Sequence, residues 1–178
     1  GEDDIWAVTT RYAGEWADFK VAGVASYAES TDENLNLGIS ATQQYFQAGA
    51  YVEHIPTGLF AYGAYGHDTY DFSGSGQSET WYGKLGIRQR WTALGHTVLY
   101  GEYENVKGSG AFSQSELAGL DATHDRTEVW GGGIVQEIDS AAMSIWVKYR
   151  HLDYSDNNTD GIAYDNFQYV GMGALINF

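Results

Sequence analysis

The last twelve residues, 167–178 (FQYVGMGALINF), restrict the fold more than any other stretch of the chain. Val170, Met172, Ala174, Ile176 and Phe178 take every second position, and Tyr169, Gly171, Gly173 and Asn177 fall between them, the period of a β-strand with two unlike faces. One face is apolar, the other small or polar. A half-buried strand of a water-soluble sheet alternates in the same way. An apolar stripe carried unbroken to a terminal phenylalanine asks for an apolar solvent outside it, however, and a lipid-facing strand supplies one.

Composition agrees with strands and disfavours several alternatives. No run approaches the roughly 20 consecutive apolar residues of a spanning helix, and a mean hydropathy of -0.36 is too polar for a bundle of such helices. Barrel strands hide their hydrophobicity by alternation, so that average is compatible with a membrane protein of the β type. The 178 residues suit a single domain, 1–178, and the absence of cysteine removes disulfide and thiolate chemistry. A net charge of -15 argues against nucleic acid, which needs clustered lysine and arginine. The opening GEDDIW carries neither a basic region nor an apolar signal core and reads as a mature or truncated chain.

Alternating segments recur at 5–14, 19–29, 45–54, 59–70, 81–91, 96–105, 126–137, 142–154 and 167–178. Short junctions (15–18, 55–58, 92–95, 138–141) alternate with long polar ones (30–44, 71–79, 107–125, 155–165). The one proline, Pro56, occupies a junction where its fixed φ suits the first central turn position. In 81–91, Trp81, Leu85, Ile87 and Trp91 share one parity, and Tyr82, Lys84, Gly86, Arg88 and Arg90 the other. Tryptophans at both ends of an apolar stripe are what two membrane interfaces require. Parity is blurred in 59–70 and across Gly131-Gly132-Gly133.

On these residues the chain resembles bacterial outer-membrane barrels, its last strand being similar to their closing strand, with Val170 where an aromatic often stands. The stretches HIPTGLFAYGAYG (54–66), GIRQRWTALGHTVLYGEY (86–103) and VQEIDSAAMSIWVKYR (135–150) are similar to the carboxyl-terminal portion of general porins from alphaproteobacteria. The resemblance covers essentially the whole chain. It implies an all-β, antiparallel transmembrane β-barrel of about sixteen strands, of which about nine are here, the remaining N-terminal strands completing the wall. It also implies a homotrimer in the bacterial outer membrane, in contact with lipid and lipopolysaccharide, that passes ions and small hydrophilic solutes by diffusion, with no enzymatic step and no cofactor. Nine antiparallel strands cannot close on themselves without one parallel pair. The other barrel compatible with the sequence is a closed eight-stranded one with a filled interior.

In the porin reading the lumen wall carries Arg11, Lys20, Glu53, Lys84, Arg88, Arg90, Glu102, Glu104, Lys148 and Arg150, seven of them among the nine basic residues. Either a wet interior simply tolerates charge that the lipid face does not, or these cations form a ladder that sets a transverse field. Trp6, Trp81, Trp91 and Phe178 are the expected interface aromatics. Acidic residues gather in or beside the long connections: Glu2, Asp3, Asp4, Asp32, Glu33, Asp71, Glu79, Glu116, Asp121, Asp125, Asp156, Asp160 and Asp165. Such a mouth favours cations, or binds divalent ions that bridge to lipopolysaccharide.

Within 155–165, Asp156, Asn158 and Asp160 fit the opening of a calcium loop, but its twelfth position is Phe167, and an Asp/Asn/Gly-rich turn has the same composition. The five histidines (54, 67, 96, 124 and 151) have no metalloprotease spacing and no nucleophile elbow occurs. A barrel hydrolase with serine and histidine on adjacent strands would escape such a search. A soluble ligand-holding β-barrel or sandwich also alternates, with its apolar parity inward.

Overall fold

The computed structural model describes residues 4–34, 39–71, 76–108, 125–157 and 164–177. Nine strands appear among them: β1 (Asp4–Trp16), β2 (Phe19–Asn34), β3 (Ile39–His54), β4 (Leu59–Asp71), β5 (Gly76–Thr92), β6 (Gly95–Lys107), β7 (Asp125–Ile138), β8 (Met143–Asp156) and β9 (Phe167–Ile176). The helical content of the described residues is one 3-10 turn, Asp139–Ala141. The strands form a single sheet in chain order, each antiparallel to the next. β1 and β9 each have one neighbour, so the sheet is open.

At one end the connections are tight. Trp16 pairs with Phe19 across a two-residue turn in which Ala17 takes φ 50°, and His54 pairs with Leu59 across 55–58. Gly58 has φ 64° and donates its N–H to His54 O at 2.8 Å, while its carbonyl accepts from Arg88 N. A Cβ there would meet Arg88 O at 1.9 Å, so the turn of Pro56 needs glycine at its close.

At the opposite end the strands run further than the composition suggests. Residues 30–44 are expected as a long polar connection, yet β2 and β3 remain paired to Asn34 and Ile39, leaving 35–38 between them. Likewise β5 begins at Gly76, inside the expected connection 71–79. Ser, Thr and Gln are polar in side chain but pair normally in backbone: Thr31 faces Thr42, Ser30 faces Gln43, and Gln44 Nε2 donates to Glu29 at 3.1 Å. Loss of the apolar stripe therefore marks where the greasy band ends, not where the ladder ends.

The register also assigns the faces that parity left blurred. Tyr62, Lys84, Glu102, Gly131, Arg150 and Tyr169 form one continuous row from β4 to β9. The adjacent row, Ala61, Leu85, Gly101, Gly132, Tyr149 and Val170, lies on the opposite face. Among the described residues Val129 is the one buried hydrophobic side chain, whereas Glu53, Thr97, Glu102, Asn105 and Asp125 are buried. A water-soluble domain does the reverse.

Candidate pore-lining face

The apolar face is bare. Leu85, Val170 and Met172 are 68%, 66% and 76% exposed, and Ile134, Ile145 and Val147 are exposed beside them. Near the far end of this face runs a belt of rings, one per strand from β1 to β7: Trp6, Tyr27, Phe46, Tyr65, Trp81, Tyr103 and Trp130. Tyr27 pairs with Phe46, Tyr65 with Trp81, and Tyr103 with Trp130. Trp6 and Tyr27 ring centroids are 5.2 Å apart, Tyr65 and Trp81 4.5 Å. Their polar tips point away from the apolar band: Tyr27 donates to Glu29 at 3.0 Å, Trp81 Nε1 to Glu79 at 3.0 Å, and Tyr103 to Glu128. At the tight-turn end Trp16, Trp91 and Leu94 are again exposed. Trp81 and Trp91 are ten residues apart. That is about 33 Å along a strand, or roughly 25 Å of height at the roughly 40° tilt of barrel strands, the thickness of an outer-membrane apolar band.

Between the belt and the tight turns, the polar face gathers the charged residues. Glu102 is its centre, with a side chain 2% exposed. It accepts from Tyr82 Oη at 2.6 Å and from Arg150 Nε at 2.6 Å, and Lys84 Nζ stands 3.8 Å away. Arg150 belongs to β8 and Glu102 to β6; the residue between them in the row is Gly131, and the missing side chain clears the path. Arg88 of β5 likewise crosses β6 to bond Glu137 of β7 through Nε (2.9 Å) and Nη2 (2.6 Å), with His96 Nδ1 3.4 Å from the same carboxylate. Contacts between second neighbours on this face are those of a sheet that curls toward it.

Lys20 lies 3.9 Å from Glu15, and Tyr51 donates to the buried Glu53 at 2.8 Å. Arg90 sits in the irregularity between Gln89 and Thr92, where strict alternation stops, and pairs with Asp139 of the 3-10 turn. Lys20, Lys84, Arg88, Arg90 and Arg150 of the expected wall thus each lie beside a carboxylate. The sequence hid this because two of the partners, Glu137 and Asp139, are remote in the chain and lie at or beyond the end of β7. Arg11 has no ion-pair partner among the described residues. Lys148 has none either, and lies instead over Trp146 and Tyr169 at 5.5 and 5.8 Å. Glu104, facing Tyr82 and Val129 in the ladder, completes the set.

Sequence reasoning missed the rings of this face. Phe60 lies over its ladder partner Gly86, Tyr100 over Gly133 and Trp146 over Gly173: an added Cβ would meet the Phe60 ring at 2.5 Å, the Tyr100 hydroxyl at 2.7 Å and the Trp146 ring at 2.6 Å. An aromatic opposite a glycine on the same parity is the signal, since the ring covers backbone that the glycine leaves bare.

Other expectations fall differently. Phe178 and, from the calcium-like string, Asn158 and Asp160 lie outside the described residues, as do Glu2, Asp3, Glu116, Asp121 and His124. Asp156 closes β8 and accepts from Tyr154 at 3.5 Å. No three His, Cys, Asp or Glu converge among the described residues. Asp4, Asp71, Glu79, Asp125 and Asp156 are strand residues near the far end, so the acidic rim is carried partly by protruding ladder rather than by loops. No family model matches the chain, and no curated protein matches it.

Proposed function

We propose that this sheet is a stretch of the wall of a bacterial outer-membrane porin, with its apolar face in lipid and its charged face lining a water-filled channel for passive diffusion of ions and small hydrophilic solutes. One observation carries the reading: the face that holds the aliphatic side chains is exposed, bounded by aromatic belts, while the face that holds the ions is the sheltered one. A soluble container requires the opposite. The porin family resembled by 54–66, 86–103 and 135–150 supplies the specific form, a trimeric general porin in contact with lipopolysaccharide.

The open edges support a wall completed by further strands, because unpaired strand edges in hydrocarbon cost several kcal/mol for each unsatisfied group. In this reading those strands belong to the N-terminal part of the same porin. The acidic far rim, set against a wall whose cations are mostly paired, favours cations entering the pore. The test is reconstitution of the purified protein into planar bilayers under a salt gradient. Stepped conductance with a reversal potential of the cation-selective sign is expected. An inserted, protease-protected protein that never conducts would overturn the channel, and an anion-selective potential would overturn the selectivity.

A further inference from the structure

Lys148 differs from the other cations of the charged face. Its ladder partners are Gly133 on β7 and Gly171 on β9, so no side chain stands on either side of it. The Tyr100 ring covers Gly133 from one flank, and Trp146 and Tyr169 face the ammonium from the others. The nearest cation in the next row, Arg150, is committed through Nε to the buried Glu102, and Lys84 lies 4.3 Å from the Tyr100 centroid. The result is an ammonium on a glycine-floored row, with the Trp146 and Tyr169 rings against it and lacking a carboxylate partner among the described residues.

Cation–π contact satisfies such an ammonium only weakly. A carboxylate satisfies it better, through a charge-assisted hydrogen bond. The rings add a flat apolar surface against which a second ring, aromatic or saturated, can stack. We propose that this recess is a binding subsite for small solutes that carry a carboxylate on a ring. The inference rests on the reading of this face as wetted, because solute has to reach it, and it adds a solute class which that reading does not specify.

The test is a titration of detergent-solubilised protein, followed by tryptophan fluorescence, with Trp146→Phe identifying the responding indole. Benzoate and galacturonate are the ring acids, benzyl alcohol and galactose their uncharged counterparts, and acetate the ringless acid. Saturable binding of one or both ring acids is expected, at least about tenfold tighter than acetate or the uncharged partner, and which of the two binds assigns the ring type. Lys148→Gln should weaken it about tenfold and Lys148→Arg retain it. Arg11→Gln, which alters a cation of the same face far from the recess, should leave it unchanged. Equal binding of benzyl alcohol or galactose, equal binding of acetate, or indifference to Lys148→Gln would overturn the subsite. The titration needs no membrane: protein that binds ring acids but carries no current fails only as a channel, and protein that conducts but ignores them fails only here.

Discussion

Lys84 and Leu85 are consecutive residues of β5 with opposite surroundings. Leu85 is 68% exposed, among other aliphatic side chains and between Trp81 and Trp91 of its own strand. The Lys84 side chain is 29% exposed, 4.3 Å from the Tyr100 ring centroid and 3.8 Å from a buried carboxylate. One peptide step thus separates an aliphatic stripe from a surface organised by ion pairs. If the apolar face meets lipid, as proposed, the sheet's stability depends on two solvents, and a substitution has to be judged by the face it falls on before its size or chemistry is considered.

The largest expected effect tests that directly. Leu85→Arg places a charge at mid-height of the apolar band and should destabilise the protein in lipid vesicles by about 2–4 kcal/mol, measured by equilibrium urea unfolding. A water-exposed leucine in a soluble sheet would give a change within about 0.5 kcal/mol of zero for the same substitution. A near-zero value in vesicles would therefore break the comparison between the faces.

On the charged face the corresponding change is removal of a partner. Arg150→Leu leaves Glu102 with Tyr82 and a more distant Lys84. Loss of a hydrogen bond to a buried charged group predicts a destabilisation of about 1.5–3 kcal/mol. The double variant with Glu102→Gln should recover part of it, since the uncompensated charge is then gone; an additive pair would show that the two side chains do not depend on each other.

Much of this arrangement is legible from the chain alone. Period-two alternation around Trp81–Trp91 and at 167–176 places the strands and most of their faces, because two unlike faces impose the pattern residue by residue. Ladder extent at 30–44 is not legible, since the stripe that reveals a strand vanishes where the sheet leaves the greasy band while backbone pairing continues. Pairing of Arg88 with Glu137 or Arg150 with Glu102 is hidden for a different reason. Parity says which face a residue takes, but register across three strands decides which charges meet, and register is set by the whole meander. The glycine run 131–133 reads as noise for parity, yet it is what lets Arg150 cross β7 and Tyr100 lie over it.

Glycine supplies the finest form of the comparison, and the smallest expected effect. Gly83 lies on the apolar face with nothing within 4 Å of an added Cβ, whereas at Gly131 the same atom would meet Tyr149 O at 2.1 Å and Arg150 Cα at 3.1 Å. These are backbone atoms, which cannot swing aside as the Trp146 ring could at Gly173. Gly83→Ala should be neutral or stabilise by up to about 1 kcal/mol through the reduced freedom of the unfolded chain. Gly131→Ala should destabilise by about 1–2 kcal/mol, because β8 has to move to admit the methyl group. That movement also displaces Arg150 from Glu102, so Gly131→Ala should cost less in an Arg150→Leu background than in the native one. Equal costs in the two backgrounds would mean that Gly131 is needed only for backbone clearance and not for the crossing of the ion pair above it.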